Sequence, residues 1–473
     1  MVRMKLVTVL KIGATILLVV VTLSRFNTVH ADDPAYYKLE DVKELTIYKE
    51  GDTELRPTFS FETVAFGQIN PGWGKRTSSF GEFGRHWFEL AATPGIQGSL
   101  GLGGYGKLFA RVSGVYTFTG GGLDGAGTNP PPHTHPSTFL LEDAHLRWTS
   151  GDVFPFLDKD GFEISAGAQR FRPVGSGFLV WGGSSNGGRR GAFWLGARRA
   201  FENTGVLRLR KDGFRGDFFY LTPNDNPNTN TDVLGTNLEY DITDRTEIGF
   251  MYLNILNSDR VRRDGMSVFN FRGKTAPLAS LPGLQLNGEL ALEENGSKVN
   301  SALGGYVGIG YEFAELPWKP RVSYRFAGFS GDRRGKGTDK AFDPLFYGQS
   351  DWGTWFQGEI LGNWVNINQN LLSWLLRLEL RPVESLTLNL LYFHFNLAQL
   401  TTTDVSRDGV VHTVNVNSKN LGDEVNFAAD WEVNKHLLFT AVYGFNVPGK
   451  AARAFTGGSK VWNSFMLYTG LRF

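Results

Sequence analysis

The feature that most constrains this chain is a period of two. Apolar and polar residues alternate in stretches of about ten, from near residue 57 to residue 473. In 461–473, Phe465, Leu467, Leu471 and Phe473 share one face, interrupted only by Thr469, while Met466, Tyr468, Gly470 and Arg472 occupy the other. Leu234, Leu238 and Tyr240 oppose Gly235, Asn237, Glu239 and Asp241, and Leu386, Leu388, Leu390 and Tyr392 oppose Thr387 and Asn389. Strands of a soluble sandwich alternate too but run to about 5–6 residues; about ten suits a tilted strand crossing a bilayer. A helical membrane protein would need apolar runs of roughly 20 residues, and none follows residue 31.

Composition agrees. The 473 residues include 59 Gly, 37 Phe, 15 Tyr and 12 Trp, yet the mean hydropathy is only −0.20, because alternation hides apolar content in the average. No cysteine is present, which excludes a disulfide framework and a thiolate metal site, and a net charge of +1 gives no electrostatic case for nucleic acid. Residues 1–31 are expected to be a secretory signal peptide: Arg3, Lys5 and Lys11 precede the apolar stretch 12–23, and Val29 and Ala31 are small residues suited to cleavage after Ala31. Residues 32–56 are then a periplasmic N-terminal segment and 57–473 a transmembrane antiparallel β-barrel.

The alternation places strands near 57–69, 85–101, 105–119, 137–149, 161–172, 200–211, 214–224, 232–242, 246–256, 266–274, 284–293, 303–314, 319–330, 371–381, 386–397, 421–432, 436–446 and 461–473. Short turns at 212–213, 243–244, 382–385 and 434–435 then fall on one side, the periplasmic one, and the long connections 70–85, 120–137, 173–200, 257–265, 331–370 and 400–420 on the other. A further strand at 354–365 would invert every later turn, so 331–370 reads as one outer connection. About 18 strands enclose a lumen too wide for side chains to fill.

Parity also assigns the lumen. With Val112, Leu146, Leu207, Phe218, Phe326 and Leu376 facing lipid, Arg111, Arg147, Arg208, Asp217, Arg325 and Arg377 face inward, joined by Asp143, Glu163, Arg210, Arg215, Arg321, Glu379 and Arg381. A charge on the lipid face costs about 2–4 kcal/mol at mid-depth, which supports this placement. Such residues either pair to brace the wall or form a lining whose guanidinium forks exchange carboxylates of a passing polymer. The 331–370 segment carries Arg333, Asp343, Trp352, Trp355, Phe356 and Trp364; it either folds inward as a constriction or packs over the rim.

Three stretches resemble the alginate-export family of outer-membrane channels: 138–147 with Glu142, Asp143 and Arg147; 201–208 followed by 214–220; and 342–348 with Trp355, Gly358 and Glu359. The resemblance implies an 18-stranded monomeric barrel with an electropositive constriction that exports the polyuronate alginate. The chain departs from the family pattern at Gly167-Ala168-Gln169-Arg170, where Gly-Arg-Gln is expected, and at Gly177-Phe178-Leu179, where Gly-Arg-Leu is expected. Expected partners are outer-membrane lipid and lipopolysaccharide, an anionic polysaccharide and, as an open option, periplasmic proteins of a secretion complex. A general or small-anion-selective porin is the alternative.

Other motifs carry no chemistry. Gly183-Ser184-Ser185-Asn186-Gly187 has nucleophile-elbow spacing but lies in a glycine-rich connection, without the strand before and helix after that the elbow needs. The run 101–106 has dinucleotide-fingerprint spacing with no helix to follow. His133 and His135 lack further ligands, and no serine pairs with His145 beside Asp143, so no metal, cofactor or catalytic set is expected.

Overall fold

The computed structural model describes residues 45–75, 86–121, 135–171, 179–225, 228–296, 298–332, 339–347, 357–366, 368–407 and 410–472. Eighteen antiparallel strands form its wall: β1 (Thr53–Ile69), β2 (His86–Gly101), β3 (Lys107–Gly121), β4 (Ser137–Thr149), β5 (Phe162–Gln169), β6 (Phe201–Lys211), β7 (Phe214–Thr222), β8 (Asp232–Thr243), β9 (Thr246–Asn257), β10 (Ser267–Thr275), β11 (Leu284–Asn295), β12 (Val299–Glu312), β13 (Arg321–Phe329), β14 (Leu371–Val383), β15 (Leu386–Leu397), β16 (Asn420–Asn434), β17 (Leu437–Pro448) and β18 (Trp462–Arg472). Each pairs with its neighbours in sequence. The ring closes where β1 meets β18, Ser60 opposite Arg472 and Ile69 opposite Asn463.

Closure follows from the medium. Lipid offers no hydrogen bonds, so an open edge would leave backbone N–H and C=O groups unpaired. All eighteen expected strands are present. The first starts at Thr53, inside the segment read from sequence as periplasmic, and is extended by a short strand at Tyr48–Glu50 that pairs with its beginning.

The lipid face carries exposed Val112, Leu146, Phe218, Leu376, Phe465 and Leu467. The opposite face carries buried Asp143, Glu163, Asp217, Arg325 and Glu379. The four short turns expected on one side lie at one end of the barrel, and the long connections at the other. Parity breaks once where it matters. Between Ser113 and Gly114 of β3 the register slips past Glu142, so the β4 bulge turns Glu142 inward together with Asp143.

Candidate functional site

Two long connections fold into the lumen. One, described from residue 179 to Ala200, links β5 to β6. The other, described at 339–347 and 357–366, links β13 to β14 and includes a π-helical turn at Gly358–Val365. Ring contacts show where they sit: Trp364 meets Phe66 and Trp87 of the inner wall, both at 5.6 Å between centroids, and Trp194 meets Phe66 at 5.6 Å and Tyr468 at 6.0 Å. Phe342 is fully buried against Phe329, and a Cβ on Gly304 would lie 2.7 Å from its ring, so the glycine makes room for it. Burying side chains of this size contributes about 1.5–3 kcal/mol each.

Apolar packing alone would leave the loop amides without partners. Four wall carboxylates accept them. Glu89 of β2 takes the N–H groups of Trp194 and Leu195 at 3.0 Å each. Glu142 takes those of Arg199 and Ala200 at 2.8 and 3.0 Å. Glu293 of β11 takes Asp343 N–H at 2.9 Å. Glu424 of β16 takes Ile360 and Leu361 N–H at 2.8 and 2.9 Å. Such charge-assisted bonds are the stronger kind, worth about 1.5–3 kcal/mol each. Gly358 opens the π-helical turn at φ 83°, and a Cβ there would stand 2.5 Å from Glu424 Oε1. The two loops also meet each other: Val180 and Phe346 form a parallel bridge, with Trp181 N–H donating to Phe346 O at 2.7 Å and Phe346 N–H to Leu179 O at 3.0 Å.

Most of the residues picked out by parity form a belt of ion pairs on the wall. Arg111 lies 3.2 Å from Asp143, which also accepts from Ser113 Oγ at 2.8 Å. Arg208 bridges Glu163, at 2.8 Å, and Asp217; Asp217 also faces Arg215 at 3.2 Å and accepts from Asn237 at 2.9 Å. Arg377 and Arg381 both hold Glu379, at 2.7 and 2.8 Å. Arg147 stacks its guanidinium over Phe109 at 4.4 Å. Arg325, almost wholly buried, donates to Gln357 Oε1 at 3.4 Å at the foot of the π-helical turn.

Asp343, in the connection expected from sequence either to narrow the lumen or to pack over the rim, is held by a two-pronged grip from Arg263, at 2.6 and 2.8 Å. Burial alone would raise its pKa, but the Arg263 hydrogen bonds and charge outweigh burial and hold it below the ordinary aspartate range. Arg333 and Trp355 lie outside the described residues.

Empty space between the loops and the wall lies elsewhere. A cavity of about 970 Å³ runs from the β9–β10 connection, where Arg260, Arg262 and Arg263 line it, past Arg198 and Arg199, to Asp430 and Leu438 near the short-turn ends of β16 and β17. Among the described residues, none of those picked out by parity borders it, whereas the 339–347 stretch does, with Asp343 and Phe346. The loop arginines were missed because alternation says nothing about connections. The signal available was the doublets Arg198-Arg199 and Arg262-Arg263 in otherwise glycine- and aromatic-rich or polar connections. Among the described residues, no group of three or more potential ligands could hold a metal.

A family model described as alginate export matches residues 191–461. No curated protein matches the chain. Among solved structures, the outer membrane protein OprD from Pseudomonas aeruginosa aligns with a TM-score of 0.52 at 13% identity, over 95% of this chain and 97% of its own. Acinetobacter baumannii OccAB2 aligns with a TM-score of 0.56 at 11% identity, over 89% and 98%. At such identities the likeness speaks to the barrel fold.

Proposed function

The chain belongs to the alginate-export family and is a channel of the bacterial outer membrane; from that premise we propose that it passes an anionic polysaccharide, alginate or a related polyuronate, along its loop-lined cavity. The observation that carries this reading is the cavity's lining. Arg198, Arg199, Arg260, Arg262 and Arg263 meet there with Glu62, Asp225, Asp343 and Asp430. A polyuronate presents one carboxylate per sugar ring, so each guanidinium can exchange a protein carboxylate for a substrate carboxylate and hand the chain on. Repeated weak contacts suit passage better than one tight site. The wall belt of Arg111, Asp143, Arg147, Glu163, Arg208, Asp217, Arg325, Arg377 and Glu379 acts in this reading as bracing and as a field of alternating charge beside the path. Passage needs no bond making or breaking, so a passive channel is proposed rather than an enzyme.

The test is single-channel conductance of the refolded barrel with oligouronates and neutral oligosaccharides of equal length. Block by oligouronates alone supports the proposal. Equal block by both, or by neither, refutes anionic-polymer selectivity and leaves a general or small-anion porin.

A further inference from the structure

The cavity is aromatic as well as cationic. Trp181, Phe193, Trp194, Phe346 and Tyr468 border it together with the arginines. A water-filled path has no use for indole and phenyl surface, whose exposure to water is unfavourable. Yet Trp181, Phe193 and Trp194 are only half-buried. Two of them have fixed far sides: Phe193 packs on Trp364 at 5.7 Å, and Trp194 is wedged between Phe66 and Tyr468. The backbone beneath is held as well, since Glu89 accepts the Trp194 and Leu195 amides. Phe193 and Trp194 are therefore a supported surface rather than flexible filler, and the Trp181 backbone beside them is tied to Phe346 O.

A second, independent feature lies four residues on. Arg198 is 1% exposed; the Glu142 charge acts on it from beyond ion-pair distance, and among the described residues no carboxylate lies within 4 Å of it. One bond, to Thr138 Oγ1 at 3.0 Å, is made by its guanidinium, and its Nε has no hydrogen-bond partner. Glu142 offsets part of the charge, but a buried guanidinium with donors to spare is costly until acceptors complete it. Arg198 borders the same cavity as the rings.

We propose that the inward β5–β6 connection is a sugar-stacking subsite, in which Trp181 and Trp194 receive the C–H faces of successive pyranose rings while Arg198 takes a carboxylate carried on one of them. The proposal rests on the polyuronate reading and specifies how that polymer is recognised. Aromatic faces are indifferent to the identity of the apolar surface stacked on them and are not consumed by hydration, so they hold a ring without trapping it. Small anions and charged peptides lack the pyranose face and gain nothing from the tryptophans. Discrimination against them then comes from the rings, whereas attraction of any anion comes from the arginines.

The experiment measures residence times of block by hexagalacturonate, maltohexaose and hexaglutamate on the full-length channel and on three variants. In W194L, residence of hexagalacturonate is expected to fall about tenfold, the scale of one lost aromatic contact, with hexaglutamate unchanged. W194Y, which keeps a ring, restores the residence time and shows that the barrel itself is intact. R198Q shortens the residence of both anions and leaves maltohexaose as in the parent channel. Equal loss for hexagalacturonate and hexaglutamate in W194L would mean that the ring sets only the width of the path, and would overturn the subsite. So would no loss for either. Should the parent channel be blocked by maltohexaose but not by hexagalacturonate, with W194L abolishing that block, the stacking surface stands and the polyuronate reading falls. Block by neither sugar refutes both.

Discussion

Replacing Glu424 by alanine tests whether the π-helical turn is held in the lumen by the wall. The carboxylate accepts Ile360 and Leu361 N–H at 2.8 and 2.9 Å and Asn426 and Asn446 amides at 3.0 and 3.2 Å, all of it buried. Losing two charge-assisted bonds to the loop costs about 3–6 kcal/mol in a dry site. The lumen admits water, which recovers part, leaving about 2–4 kcal/mol. Trp364, Ile360 and Leu361 remain packed on the wall and Glu359 still meets Ser464, so the loop stays docked as its main state. Its undocked fraction should nevertheless rise by about 30- to 1,000-fold, since about 1.4 kcal/mol is a factor of ten. Single-channel recording reads this directly as frequent excursions to a larger conductance level. Glu424→Gln keeps an acceptor oxygen and should show a smaller rise. If alanine and parent channels, both folded by heat-modifiability on gels, open to the large level equally often, then apolar packing holds the loop and the carboxylates are passengers.

Gly358→Ala should copy the Glu424→Ala phenotype, because a Cβ would strike Glu424 and the residue sits at φ 83°; equal conductance traces for variant and parent would show that the turn relaxes at no cost. Arg263→Met leaves Asp343 buried without its fork, a loss of about 3–5 kcal/mol, and protease should then cut within 339–347 in a barrel that is otherwise intact. The same tie has a definite pH sign: the Asp343 pKa is lowered in the folded protein, so its contribution is complete above the ordinary aspartate value and is lost only as pH falls through the depressed one. Protection of 339–347 should therefore persist down to about pH 4. Removing Arg208 and Arg325 together leaves Glu163 and Asp217 without their bridging cation, so reversal potentials should move toward cation preference; an unchanged ratio rules out any influence of the belt on ions in transit. Leu467→Arg puts a charge on the exposed lipid face, at about 2–4 kcal/mol, and should lower the yield of folded barrel in vesicles.

The wall was legible because each strand residue has two destinations, lipid or lumen, and the cost of error is large on one side. That is why Val112 and Arg111, or Leu376 and Arg377, separate by parity alone. The interior was not. Trp364 was legible as a ring needing burial, but whether against rim or lumen depends on partners such as Phe66 and Trp87, far away in sequence. Glu89, Glu293 and Glu424 obey parity, yet what they do depends on loop amides that no periodicity encodes. Glu142 defeats parity outright, since one bulge reverses its side.

The π-helical turn lies across the closing strands. Its Glu359 reaches Ser464 of β18 while Trp364 rests on Phe66 of β1, and Gln68 and Ser464 themselves are bonded although 396 positions apart. Joining such distant positions costs about 3 kcal/mol more in chain entropy than a turn of about ten residues, so this is the last pair of strands expected to find each other. Until they do, the turn has only half its footing. Sealing the wall and seating the turn are thus one event in the life of the molecule, and a barrel caught half-made in the membrane has neither its last seam nor its inner turn in place.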